Sequence, residues 1–95
     1  MRYRVKFRKD ALREWEKLDN AIQQQFARKL HKCRENPHIP SARLRGLPDC
    51  YKIKLRASGF RLVYQVIEDV LVIAVVAVGK RENSEAYMLA SERLR

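Results

Sequence analysis

Residues 51–66 read YKIKLRASGFRLVYQV. Taken in twos, Tyr51, Ile53 and Leu55 fall on one side, and Lys52, Lys54 and Arg56 on the other. That period belongs to a β-strand with one buried face. After Ala57-Ser58-Gly59 the alternation resumes, with Phe60, Leu62, Tyr64 and Val66 in the apolar set. The stretch therefore predicts two strands joined by a turn. An odd turn would put Arg61 among the apolar residues, and burying an unpaired guanidinium costs several kcal/mol. An even turn keeps Leu55 with Phe60 and joins Arg61 to Lys52, Lys54 and Arg56. Gly59 can supply a positive φ there. An apolar face is what a sheet needs, but folding does not require the opposite face to be cationic.

Three strands are predicted in succession, over about 50–56, 60–67 and 70–79. The last, VLVIAVVAV from Val70 to Val78, is apolar on both faces, as a central strand should be. Glu68-Asp69 reads as the tight turn before it. Upstream, Tyr3, Val5 and Phe7 alternate with Arg2, Arg4, Lys6 and Arg8 and predict a first strand. Its outer cations suffice to keep it soluble and to discourage edge pairing. Its place in the sheet is open.

Between the first strand and the others, Leu12, Trp15, Leu18, Ile22, Phe26, Leu30 and Cys33 recur at helical spacing. Asp19-Asn20 interrupts this stripe, and Asn20 with Gln23 resembles a capping box. The reading is two helices, about 11–18 and 21–35, with Trp15 in the core rather than serving as a stacking platform. Pro37 and Pro40 stop the second helix. Residues 36–49 form a surface loop carrying Arg43 and Arg45. Ser84 or Asn83 caps a last helix, with Tyr87, Ala90, Ser91 and Leu94 on one side.

Ninety-five residues predict one domain, 1–95. The longest apolar run has nine residues, too few to span a bilayer as a helix, and MRYRVKFRKD has no signal-like apolar stretch. No membrane association and a cytoplasmic location are expected. Cys33 and Cys50 have neither ligand spacing nor a reason to pair in a reducing compartment.

The net charge of +10 points to an anionic partner, most often nucleic acid, and an acidic protein is expected to cover so cationic a surface. Residues 43–61 hold six cations, Arg43, Arg45, Lys52, Lys54, Arg56 and Arg61, against Asp49 alone. That is half of the excess. A phosphate would relieve repulsion between neighbouring Lys52, Lys54 and Arg61 and accept paired hydrogen bonds from arginine. Arg81 follows the central strand, and Tyr87 lies one turn into the last helix. Folding that helix back over the sheet would bring both into the patch, giving a ring to stack on a base beside cations for the backbone. His31 and His38 are each isolated from the stripe. Lysine can act as a base only when deprotonated, and neighbouring cations lower its pKa. No paired carboxylates, nucleophile elbow, glycine-rich phosphate loop or metal-ligand cluster is present. Catalysis is expected to need no metal and no cofactor.

Three stretches, ALREWEKL (11–18), LRGLPDCYKIKLRASGFRLVYQV (44–66) and VGKRENSEAY (78–87), resemble the RelE toxins of bacterial toxin–antitoxin modules, within the RelE/ParE superfamily. The likeness runs over essentially the whole chain. It implies an α+β fold: a small, antiparallel-rich four-stranded sheet with two N-terminal helices on one face and a short C-terminal helix. It implies a type II toxin that cuts messenger RNA in the ribosomal A site, by attack of the 2′-hydroxyl, against 16S rRNA. It implies a RelB-like antitoxin that wraps the toxin, the pair repressing their own operon, with operator DNA met only through that complex. By motif the catalytic set falls on Lys52, Lys54, Arg61, Arg81 and Tyr87, with Arg45 contributing to RNA binding. Arg56, from the stripe itself, is read as a further RNA contact. Lys54 is assigned as base, Arg81 as the group assisting departure, Lys52 as stabiliser of the transition state and Tyr87 as the stacking ring. Phe60 stands where a tyrosine is also expected. Three other readings share the charge: a non-catalytic nucleic-acid-binding domain, a solvated face with no substrate, and a ParE-like toxin that poisons gyrase. The last would lack the lysine pair and the tyrosine.

Overall fold

The structure is a computed structural model describing residues 2–95, the side chain of Asn83 apart. In chain order the elements are β1 (Arg4–Phe7), α1 (Lys9–Glu16), α2 (Asn20–Cys33), β2 (Cys50–Leu55), β3 (Phe60–Ile67), β4 (Val72–Lys80) and α3 (Glu85–Arg93). Single 3₁₀ turns occupy Pro40–Ala42, Glu68–Val70 and Glu82–Ser84. The sheet order is β1-β4-β3-β2, with β1 parallel to β4 and the other pairs antiparallel. The first strand is thus an edge strand beside β4.

The quoted stretch folds as its parity requires. Leu55 pairs with Phe60 across a four-residue turn, 56–59, and Lys54 pairs directly with Arg61. Gly59 has φ 81°, the left-handed region that glycine enters without strain. Tyr51, Ile53, Leu55, Leu62, Tyr64, Val66, Ile73, Val75 and Val78 form one buried face, covered by Phe26, Leu30 and Cys33 of α2 and Ala11 of α1. The Tyr64 hydroxyl, fully buried there, donates to the Pro37 carbonyl at 2.8 Å, so the proline loop supplies the partner a buried phenol needs.

A β-bulge sets the other face. Val63 pairs with Ala77 and Tyr64 with Val75, leaving Val76 as the extra residue. Val76 and Ala77 consequently turn to the same side, where they join Cys50, Val63, Ala86 and Ala90 in a second core beneath α3. Past the bulge the alternation is inverted. Gly79, which would share the face of Ile73 and Val75 in an unbroken strand, points toward α3 instead. A Cβ at Gly79 would lie 2.6 Å from the Glu85 carboxylate and 3.0 Å from the Ala86 backbone nitrogen, so the glycine permits the close approach of the helix.

β1 ends at Phe7, opposite Val75, and leaves the rest of that β4 edge without a strand partner. An ion pair covers it. Glu14 of α1 accepts the Val78 N–H at 3.0 Å, and Arg93 of α3 donates to the Val76 carbonyl at 2.8 Å. The two side chains meet through bonds of 2.9 and 2.6 Å. This pair ties the C-terminal end of α3 to α1 on the far side of the sheet.

Several local expectations change. Leu12 is 42% exposed and leaves the apolar stripe. No capping box forms: Asp19 is the N-cap of α2, and the Gln23 amide instead donates to the Trp15 carbonyl at 2.8 Å, closing the end of α1. Glu68-Asp69 belongs to a 3₁₀ turn completed by Leu71 at φ 52°, so β4 begins at Val72 and Val70 is exposed. Arg56 lies in the turn, beyond the end of β2. Ser84 occupies the N-cap of α3 without a side-chain cap bond; the side chain of Asn83, the alternative cap, lies outside the described residues.

Removing one member of the Glu14–Arg93 pair strands the other against partly buried backbone. Arg93→Ala should lower the unfolding free energy by about 2 kcal/mol. Denaturant titration measures the loss. Hydrogen exchange should place the loosening at α3 and the β4 edge, leaving the β2–β3 hairpin protected.

Candidate active site

The cationic stripe is built by the hairpin. On the face opposite the main core, Lys52 lies across from Val63 and Lys54 from Arg61, and Arg61 in turn pairs with Gly79 of β4. Cross-strand partners bring their Cβ atoms to about 4.5–5.5 Å, and diagonal neighbours to about 7–8 Å. Lys54 is exposed, whereas Lys52 and Arg61 are half-buried.

Arg81 closes one end. Its backbone N–H donates to the Gly59 carbonyl at 2.8 Å, fixing the residue after β4 against the hairpin turn. Its side chain lies across Gly59, where a Cβ would stand 3.7 Å from Cγ, Cδ and Nε. Tyr87 enters from the covering helix: it is half-buried and packs on the second core through the first turn of α3. The folding back of the last helix over the sheet, expected from the sequence, is what puts the ring on this face. Arg45 stands at the opposite end. Leu44 and Leu47 pack on the same core, the Leu44 N–H donates to Cys50 and Cys50 donates back to Leu47, so the loop is pinned with Arg45 exposed at its tip. Arg56, in the turn, flanks Lys54. The hairpin therefore brings Lys52, Lys54 and Arg61 together, with Arg81 and Arg56 toward one end and Arg45 toward the other.

Among the described residues, the ion pairs are Arg2–Glu35, His38–Glu68 and Arg93 with Glu14 and Asp10. None involves the stripe, so its repulsion is not cancelled by a carboxylate. The effect falls on Lys54. Its ammonium is held below the usual lysine value, first by the charge of Lys52, then by partial desolvation, then by Arg61 and Arg56. The unfolded chain lacks that cluster. The charged Lys54 thus opposes folding at neutral pH, and this penalty disappears as pH rises from the folded pKa to the unfolded one.

Cys33, Cys50 and His38 are committed elsewhere. Burial pushes the Cys50 thiol up to about 11 and raises that of Cys33, so neither is a nucleophile near neutrality. His38 is hydrogen-bonded between the Tyr51 hydroxyl, at 3.0 Å, and Glu68, on the side away from the stripe. Tyr3 donates to the same Glu68 at 2.9 Å, and these bonds hold the Glu68 carboxyl below its ordinary range. The network braces the proline loop against β1 and β2. Sequence reading missed it, since its four members span positions 3 to 68. It also missed Glu85, whose carboxylate accepts the Lys80 N–H at 3.2 Å and seats the helix start on Gly79. An acid in the first turn of a helix directly after a glycine-ended strand was the available signal.

Residues 5–85 match the family model described as "ParE toxin of type II toxin-antitoxin system, parDE". The chain is 51% identical over 94 residues to the mRNA interferase toxin RelE of Escherichia coli K12, covering 99% of each chain. It superposes on a double-arginine variant of E. coli RelE in the free state with a TM-score of 0.92, at 49% identity and full coverage of both chains. Against the intact E. coli RelBE toxin–antitoxin complex the TM-score is 0.80 at 51% identity, covering 82% of this chain and 95% of the other.

Two outcomes follow from the geometry. In a lysine-resolved NMR titration, the Lys54 midpoint should lie below the usual lysine value, and Lys52→Met or added salt should move it upward; a downward or null response would remove Lys52 as the cause. Gly79→Ala should push α3 outward, costing about 1–3 kcal/mol, with the displacement visible in the Tyr87 ring resonances.

Proposed function

The chain belongs to the RelE branch of the RelE/ParE toxins of type II toxin–antitoxin modules, and from that membership we propose that it is a ribosome-dependent endoribonuclease that cuts messenger RNA in the A site and so stops translation. The observation that carries this reading is the set Lys52, Lys54 and Arg61, without an ion pair among the described residues, on the sheet face where the helix of Tyr87 packs. Folding gains nothing from it, and an RNA phosphodiester satisfies it. Relatives at half identity named as mRNA interferases support the cleavage of RNA over plain binding, and over a gyrase poison.

Each residue has a role that its position suits. Lys54, with its depressed pKa, accepts the 2′-hydroxyl proton. The freed oxygen attacks the adjacent phosphorus, and the bond to the 5′-oxygen breaks. The products are a 2′,3′-cyclic phosphate and a 5′-hydroxyl. Lys52 and Arg61 face the phosphate oxygens where negative charge develops. Arg81, held at the hairpin turn, stabilises charge on the departing 5′-oxygen, which takes a proton from water to leave as the 5′-hydroxyl. Tyr87 stacks on a base, and Arg45 and Arg56 hold the backbone on either side. The proton-transfer groups are weak, and a ribosome that holds the message in line for attack supplies the missing advantage by positioning. No step calls for a metal ion.

The same reading gives the partners. A RelB-like antitoxin covers the cationic face, as RelB accompanies RelE in the E. coli complex. Together they repress their operon, and operator DNA is bound only through that complex. The toxin works as one domain in the cytoplasm, where ribosomes are; no helix of the described chain is long and apolar enough to cross a membrane.

Programmed ribosomes with a defined message test the mechanism. The wild-type chain should cut once, in the A site, leaving the cyclic phosphate, with or without EDTA once ribosome integrity is controlled. Lys54→Ala and Arg81→Ala should each lower the single-turnover rate by about 10²–10⁴-fold. A cut that persists in the double variant would sink the assignment.

A further inference from the structure

α2 contains no acidic residue in its fourteen positions, yet it carries Arg28, Lys29 and Lys32 on its exposed surface. Arg28 and Lys32 stand at i and i+4, and Lys29 and Lys32 at i and i+3, spacings at which like charges destabilise a helix by about 0.2–0.5 kcal/mol per pair. None of the three forms an ion pair among the described residues. Folding alone does not account for them.

Their position does. β2 is an outer strand of the sheet, bridged along its edge, among the described residues, only by Arg43 at Tyr51, and α2 packs against it. Between the two lies a groove of about 320 Å³, whose lining includes four lysines, Lys29 and Lys32 from the helix and Lys52 and Lys54 from the strand, over Ile39 and Ile53. A second hollow continues along the helix past Arg28. No carboxylate lines either one. The lysines at the candidate cleavage site therefore also form one wall of a cationic channel leading away from it.

We propose that Lys29 and Lys32, continued by Arg28, form a second RNA-backbone site that carries the RNA-binding surface around the β2 edge onto α2 and holds phosphodiesters outside the cut dinucleotide. The inference rests on the endoribonuclease reading. Continuity with Lys52 and Lys54 favours RNA over an acidic peptide, since whatever fills the groove must share two side chains with the cleavage site. The phosphodiesters belong either to the flanking message or to ribosomal RNA, which present the same chemistry. Contacts of this kind strengthen ground state and transition state alike, so they set KM rather than kcat.

The test compares wild type with Lys29→Gln/Lys32→Gln, and with Lys6→Gln/Lys17→Gln as an equal loss of charge elsewhere. On programmed ribosomes the α2 variant should raise KM roughly tenfold with kcat within about twofold, and lower the slope of log KM against log salt by about 1–2; the control should move neither as far. Two binding arms, carried in a Lys54→Ala background, identify the source. Weaker binding to a single-stranded RNA oligonucleotide assigns the message, and weaker binding to ribosomes without message assigns ribosomal RNA. Unchanged KM and binding in every arm, or an equal effect from the control, overturns the proposal. So does a loss confined to affinity for the antitoxin, which would give the groove to an acidic protein. Should the wild type cut nothing, the endoribonuclease reading fails while the oligonucleotide arm still decides the groove.

Discussion

Strand β4 must be covered on both faces and along its edges, and the rest of the molecule is arranged around that need. α1 and α2 bury Ile73, Val75 and Val78 on one side, and α3 buries Val76 and Ala77 on the other. β3 takes one edge and β1 part of the second, and the Glu14–Arg93 pair finishes what β1 leaves open. A nine-residue helix is too short to persist alone in water. It exists because Ala86 and Ala90 meet the bulged segment of β4 and because Arg93 and Glu85 tie its ends. The bulge therefore underlies the site as well as the core, since it creates the surface on which the Tyr87 helix sits.

The same arrangement separates stability from function by face. The helix-packed side holds the aromatic and aliphatic core and the Tyr3–Glu68–His38–Tyr51 network. The opposite side has a small alanine- and valine-rich core at one part and unpaired cations at the other. Under the proposed function, alignment of the message by the ribosome would let the site stay open and rely on charge. The cost is mutual repulsion among Lys52, Lys54, Arg61 and Arg56, and its visible consequence is the depressed pKa of Lys54.

Much of this was legible in the chain because the physics is local. Alternation in residues 51–66 separated cations from apolar residues, and the cost of burying Arg61 fixed the parity of the turn. The nine apolar residues from Val70 to Val78 announced a central strand. Capping was less legible: Gln23 bonds backward to Trp15, seen only once α1 and α2 are placed end to end. Leu12 kept the helical period but stays largely exposed. The strand following Glu68-Asp69 started later than its hydrophobicity suggested because a 3₁₀ turn consumed Val70.

What the sequence determined by itself is the hairpin with its two unlike faces, the helical stripe and the excess of positive charge, all set by neighbours a few residues apart. The family resemblance, carried by three continuous stretches, added roles to those residues. The tertiary structure alone decided where β1 pairs, that Val76 bulges and turns Gly79 toward α3, and that Arg81 is tied to Gly59 at the hairpin turn while Tyr87 packs on the second core. It also set Lys29 and Lys32 across a groove from Lys52 and Lys54. These depend on contacts between residues distant in sequence, and on the requirement that a strand buried on both faces be covered from both.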